Sequence, residues 1–234
     1  MNADATNLHW KDLYRIAGIA AIISEVIIFL GIVTYIIWPY TPGVETTENI
    51  LLFLQSDRLG GLMSLDFFLF VGNLFSITLF LAFYVSLKQV NESYALIALA
   101  LGLIAVPLLI PSRPIIELFA LSKLYSSATT EAAKSQYLAA GEALLALFSG
   151  TNWFMNTLLG AISLLISSLL MLRSSVYSRT IAYVGIFTNA VVCGFFIPVV
   201  GTILLFLSLP GYMIWYFLLA RRFFQMARSH YNSG

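Results

Sequence analysis

Long apolar stretches, separated by short polar breaks, run along the whole chain. A helix needs about 20 apolar residues, each rising about 1.5 Å, to cross a bilayer. The pattern predicts six membrane spans, at about residues 14–37, 62–87, 94–110, 147–172, 180–199 and 202–223. Two of the connections are long. "TTENILLFLQSD" predicts a short helix in the first, with Thr46 or Thr47 as its cap, and residues 114–146 predict a helical region that opens at Pro114.

Composition supports the same class of protein. Hydrophobic residues make up 60% of the chain, charged residues only 10%, and the mean hydropathy is +0.90. A soluble domain of this length carries far more charge on its surface. We therefore expect an all-α integral membrane protein, in which residues 1–234 form a single membrane domain.

The distribution of basic residues predicts the orientation. If the chain crosses six times, the N-terminus, the second and fourth loops and the C-terminus share one side of the membrane. That side holds eight of the twelve lysines and arginines: Lys11, Arg15, Lys88, Arg173, Arg179, Arg221, Arg222 and Arg228. Because basic residues collect on the cytoplasmic side, both termini should be cytoplasmic. The helices predicted in the first and third loops should then be external.

Polar and small residues recur at helical spacing within the apolar stretches. In the first span Gly18, Ala21 and Glu25 form one stripe, and the second, fourth and fifth spans show comparable stripes. Such residues face other helices in lipid, since polar groups need partners and small ones allow close approach. The strongest polar residues fall at mid-depth or in the outer half, which suggests a polar cavity open to the outside. Its candidate ligand-binding residues are Glu25, Asp66, Asn73, Arg113, Asn152, Asn156 and Asn189.

Structural roles compete with ligand binding at each of these positions. Glu25 could fasten two helices as a neutral carboxyl, and Asp66 could stabilise a helix start. The asparagines could be ordinary interhelical contacts. Arg113 could extend to the interface or pair with Glu117. Alternatively it could fold inward, where it could neutralise Glu25 or Asp66, or hold an anionic ligand.

Missing residue types exclude several functions. The histidines, His9 and His230, lie in the two tails, so the spans offer no histidine for zinc or haem, and no metal or cofactor is expected. The chain has no nucleotide-binding loop, no G-x-S-x-G motif and no nucleic-acid patch. These absences favour a non-enzymatic role.

Several stretches together resemble an uncharacterised family of bacterial six-span membrane proteins, known as domain of unknown function 4386. They are "YRIAGIAAII", "GLMSLDFFLFVGN", "LSKLYSSATTEAAKSQYLAAGEALLALFSGT", "SRTIAYVGIFTN" and "IWYFLLARRFFQM". The resemblance implies a six-helix bundle in the bacterial cytoplasmic membrane with a short external helical region. It implies no activity and no catalytic residue.

Three functional hypotheses follow. The first is binding or transport of a small molecule or lipid-like ligand in the outward-facing cavity. The second is a membrane-embedded enzyme that uses the carboxylates of Glu25 and Asp66 as an acid/base pair. The third is a structural or accessory subunit of a membrane complex. The lipid bilayer is the one partner common to all three, and a homo-oligomer is compatible with each.

Overall fold

The computed structural model describes residues 10–37 and 45–228, and these are predominantly helical. His9 and His230 lie outside the described residues. The helices are α1 (Lys11–Ile37), α2 (Thr47–Ser56), α3 (Arg58–Ser64), α4 (Phe67–Leu87), α5 (Glu92–Leu109), α6 (Ile115–Ser127), α7 (Glu131–Ala146), α8 (Thr151–Met171), α9 (Arg179–Cys193) and α10 (Gly201–Arg228). Short 3-10 turns at Ile110–Ser112, Leu147–Ser149 and Gly194–Phe196 adjoin α5, α7 and α9.

Six helical segments are long and apolar enough to cross a membrane, which confirms the predicted all-α, six-span class. The second span begins later than predicted, at Phe67, because residues 58–64 form the separate helix α3. The backbone of Asp66 interrupts the helix between α3 and α4, because its φ is +61°, in the left-handed region. Pro210 lies inside α10, which continues past it as one helix.

Polar side chains cap the start of several of the described helices, Asp57 among them at the start of α3. Thr46 accepts a hydrogen bond from the backbone N–H of Asn49 at 3.2 Å, so Thr46 rather than Thr47 caps α2. Thr130 caps α7 and Ser178 caps α9 in the same way. Each cap satisfies a backbone N–H that has no partner within its own helix.

The chain forms two compact units. The first contains residues 10–26, 72–106 and 157–228 of the described chain. Its core includes an aromatic cluster: the ring of Phe83 lies 5.9 Å from that of Trp215 and 5.7 Å from that of Phe223. Tyr14 and Tyr177 also contact Phe223, at 6.2 and 6.3 Å. Large rings therefore fill the interior of this unit, where they bury the most apolar area per residue.

The second unit contains residues 27–37, 45–71 and 107–156. In it α2 packs on α6 and α7 through Ile50, Leu51 and Leu54. Two side chains of α6 fasten this contact: Ser122 Oγ donates to the carbonyl of Leu51 at 2.5 Å, and Tyr125 donates to Glu48 at 2.6 Å. The helix predicted in the first loop is thus half buried within this unit.

The predicted inner faces of the long helices are buried in part. Gly18 and Ala21 in α1, Ser163 and Ser167 in α8, and Gly185 in α9 are buried within the first unit, whereas the more polar positions Glu25 and Asn73 are only partly buried. Small residues at helical spacing therefore marked faces that pack against protein, as expected for helices in lipid.

Candidate functional site

Two prolines place Arg113 outside a helix. Pro111 lies in the 3-10 turn that follows α5, and Pro114 precedes the first residue of α6. Because the residue before a proline is disfavoured in helical conformation, Arg113 is extended, with φ −130° and ψ 71°. This short non-helical segment directs the arginine into the second unit, where the residue is only 6% exposed.

The guanidinium of Arg113 is held along two sides. Its Nε donates to Asp66 Oδ2 at 2.9 Å, which closes an ion pair. Its Nη1 donates to the backbone carbonyls of Ser112 at 2.9 Å and Phe148 at 3.2 Å, and contacts Ser112 Oγ at 3.3 Å. The group also lies over the rings of Phe148 and Trp153, 4.8 and 4.5 Å from their centroids. Hydrogen bonds and cation–π contacts thus compensate the burial of the charge.

Asp66 reaches the arginine from the junction of α3 and α4. Its backbone N–H donates to the carbonyl of Met63, and its own carbonyl accepts from Phe70 in the first turn of α4. Burial raises the pKa of the Asp66 carboxyl, whereas the charge of Arg113 and the hydrogen bond from it act in the opposite direction. The side chain of Asp66 is 43% exposed, whereas that of Arg113 is 3% exposed.

The ion pair leaves one donor and one acceptor unused. In a planar guanidinium, Nε and Nη2 lie on the same edge. One carboxylate can therefore accept a hydrogen bond from each nitrogen at the same time. Here Asp66 engages Nε alone. Within the described part of the chain, neither Nη2 of Arg113 nor Oδ1 of Asp66 has a hydrogen-bond partner. Nη2 keeps some exposed surface. The pair is therefore half open.

The structure brings Arg113 to Asp66 rather than to Glu117. Glu117 is exposed on the first turn of α6. Two residues four apart meet only when both are on a helix, and Arg113 precedes α6. Of the alternatives open from the sequence, inward folding onto Asp66 is the one that the structure shows.

The remaining five predicted residues divide between the two units. Asn152 and Asn156 lie on α8 within the second unit, on either side of Trp153, and both are partly buried. Within the described residues the amide of Asn152 has no hydrogen-bond partner. Glu25, Asn73 and Asn189 belong to the first unit.

Two asparagines of the first unit make helix-fastening contacts. Asn189 is fully buried; its amide donates to the carbonyl of Gly185 at 2.8 Å and accepts from the Tyr212 hydroxyl at 2.9 Å. Asn73 donates to the carbonyl of Val106 at 2.8 Å. Glu25 is partly buried and has no hydrogen-bond partner among the described residues. These contacts favour the interhelical reading of Asn73 and Asn189.

Three residues around Arg113 were missed from sequence: Ser112, Phe148 and Trp153. A ring in an apolar stretch ordinarily packs in the core or faces lipid, so Phe148 and Trp153 did not stand out. The one available signal was the position of Trp153 between Asn152 and Asn156 along the chain. In the described ranges, no group of three or more His, Cys, Asp or Glu side chains is placed to hold a metal ion.

The helices and their apolar surfaces define a multi-pass membrane protein. The chain belongs to the family described as Domain of unknown function (DUF4386), whose model matches residues 13–221. This match confirms the resemblance found in the sequence. No curated protein and no solved structure matches the chain.

Proposed function

We propose that this protein binds or transports a small molecule or lipid-like ligand at a polar site centred on Arg113 and Asp66. The half-open ion pair is the observation that supports it most. Of the predicted residues, Asp66, Arg113, Asn152 and Asn156 belong to the second unit, and we propose that these four line the site. Arg113 and Asp66 would make the main contacts with the ligand. Asn152 directly precedes Trp153, whose ring lies against the guanidinium of Arg113.

A charged side chain in or beside a membrane span costs free energy unless it is paired. Ionisable residues in or beside spans are rare, and they most often mark binding sites, relays or ion pairs. A purely structural pair would gain most by closing both hydrogen bonds on the shared edge of the guanidinium. Arg113 and Asp66 form only one. The unused donor and acceptor, next to a 43% exposed carboxylate, leave room for an additional polar group.

The geometry gives less support to an enzyme that uses Glu25 and Asp66 as an acid/base pair. Glu25 and Asp66 belong to different compact units, and Glu25 has no described hydrogen-bond partner that would orient it as an acid or a base. Asp66 is instead held by Arg113, an arrangement suited to a polar ligand. Binding therefore ranks above catalysis.

The test is native mass spectrometry of the protein purified gently from its own membranes. The wild type would be compared with Arg113→Gln and with Arg58→Gln, a matched control since Arg58 is exposed in the same unit. We expect an additional mass on the wild type and on Arg58→Gln that is absent from Arg113→Gln.

Folding must be separated from binding in this test. Arg113→Lys keeps a positive charge but loses the planar edge of the guanidinium, so it should fold and still lose most of the additional mass. The same mass on every variant, or an unliganded wild type, would contradict the proposal.

A further inference from the structure

The chemistry of the bound group can be derived from the atoms that the ion pair leaves open. Nη2 of Arg113 can only donate a hydrogen bond, and Oδ1 of an ionised Asp66 can only accept one. Nη2 shares a carbon with Nε, and Oδ1 shares a carbon with Oδ2, so both atoms lie near the 2.9 Å hydrogen bond between Nε and Oδ2. A ligand that fits both must therefore present an acceptor and a donor close together.

The other approaches to the guanidinium are occupied. Nη1 is used by the backbone carbonyls of Ser112 and Phe148. Phe148 and Trp153 take up space against the plane of the group, with ring centroids within 5 Å of its carbon. Of the two N–H groups of Nη2, one lies on the edge shared with Nε, and an acceptor bound there lies beside the Asp66 carboxylate.

Charge balance narrows the choice. Arg113 and Asp66 neutralise each other, so an anionic ligand would leave the site with a net negative charge and a cationic one with a net positive charge. Away from water an uncompensated charge is expensive. A ligand with one charge of each sign completes both hydrogen bonds and leaves the net charge at zero.

We infer that the site recognises a zwitterion: an acidic oxygen, from a carboxylate or a phosphate, on Arg113 Nη2, and a primary ammonium on Asp66 Oδ1. This inference rests on the proposed binding function. Two sources share the chemistry, a zwitterionic lipid headgroup and a free small molecule such as an amino acid or glycerophosphoethanolamine. No bond is made or broken.

The experiment measures lipid binding to the full-length, delipidated protein in detergent by native mass spectrometry. Phosphatidylethanolamine carries both required groups. Phosphatidylcholine keeps both charges but has no N–H donor, and phosphatidylglycerol keeps the acidic group but has neutral hydroxyl groups in place of the ammonium. We expect phosphatidylethanolamine to bind about tenfold or more tightly than either, the factor typical of losing one charge-assisted hydrogen bond.

Soluble probes identify the source. Glycerophosphoethanolamine and glycine would be added as competitors against phosphatidylethanolamine, and would also be titrated alone. Binding of the soluble zwitterion with the same dependence on its ammonium would assign the site to a free small molecule. Binding of the lipid alone would assign it to a headgroup. Either result supports the zwitterion class.

Asp66→Asn tests the ammonium contact. Asparagine tolerates the left-handed backbone at this position, so the variant should fold. We expect its affinity for phosphatidylethanolamine to fall about tenfold, with that for phosphatidylglycerol maintained or increased. Glu117→Gln, which removes an exposed carboxylate of the same unit, should behave like wild type.

The failures of the two proposals are distinguishable. If phosphatidylglycerol binds as tightly as phosphatidylethanolamine, depends on Arg113 and is unaffected by Asp66→Asn, the zwitterion inference is wrong while the binding site stands. Absence of binding by every probe also overturns the inference. The binding function itself is decided by the co-purifying mass and its loss in Arg113→Gln.

Discussion

At the scale of single residues, Arg113 shows how a charge is accommodated where two prolines interrupt a helix. Its guanidinium donates hydrogen bonds to two regions of the chain, the carbonyl of Ser112 beside it and that of Phe148 beyond α7, in addition to the ion pair with Asp66. Sequence reasoning limited its partners to three carboxylates. It could not choose among them, because the choice depends on a contact between positions 47 residues apart.

A double-mutant cycle should measure the coupling within this pair. We expect Arg113→Gln and Asp66→Asn each to destabilise the protein by about 1–3 kcal/mol, since each leaves a charged group without its partner. The double variant should lose less than the sum of the two, because the second change removes a charge that the first had already left unpaired. Thermal denaturation in detergent would give the values.

The matched control is the other ion pair of the described chain, Lys134 with Glu131. It joins neighbouring turns of α7, and its side chains are 40% and 93% exposed. Exposed pairs of this kind contribute little, so its cycle should show no measurable coupling. Equal coupling energies for the two pairs would contradict the prediction that the Arg113–Asp66 pair stabilises the protein more than an exposed ion pair does.

At the scale of elements, small residues decide how closely helices approach. Gly185 on α9 faces the indole of Trp215 on α10: a methyl group there would lie 2.7 Å from Trp215 Nε1 and would also contact Ser168 Oγ. Trp215 is fully buried and donates from Nε1 to the carbonyl of Ile181 at 3.0 Å. The indole therefore has little freedom to move aside.

Gly185→Ala should destabilise the first unit by about 1–3 kcal/mol, the usual cost of overpacking. Gly31→Ala is the control, because nothing lies within 4 Å of the added methyl group and the helix continues on both sides. Alanine favours a helix over glycine, so this variant should be at least as stable as wild type. Melting temperatures of both, measured side by side in one detergent, test the prediction. Equal stability of the two variants would show that the α9–α10 contact is not tightly packed.

At the scale of the whole molecule, a chain that crosses a membrane six times has both termini on the same side. Six helices of the described residues are long and apolar enough to cross, whereas the cytoplasmic side of the termini is a prediction from the basic residues. The same assignment puts α2, α6 and α7 on the outer side. Orientation is therefore the largest open prediction about the molecule.

Single cysteines in a Cys193→Ser background would test it. Ser56→Cys and Gln136→Cys lie in the predicted outer region, and Asn91→Cys and Ser175→Cys in predicted inner loops; all four positions are exposed. An impermeant thiol reagent applied to intact cells should label the first two only. Labelling of the last two alone would reverse the orientation, and mixed labelling would contradict the six-span topology.

The sequence by itself determined the class of the protein, the number of spans and the inner faces of its helices. Each of these follows from local pattern: about 20 apolar residues are needed to cross a bilayer, and small or polar residues at helical spacing mark a packed face. Gly18, Ala21 and Gly185 were identified in this way and are buried. The start of the second span was misplaced because a left-handed backbone at Asp66 has no distinctive local signal.

Only the tertiary structure decided the partner of Arg113, the aromatic residues against it and the half-open edge of its guanidinium. Asp66, Phe148 and Trp153 come from separate helices and turns, and only folding brings them to one side chain. It also divided the predicted polar residues between two compact units. Local periodicity reports which face of a helix is polar, whereas the atom that meets that face depends on how distant segments pack.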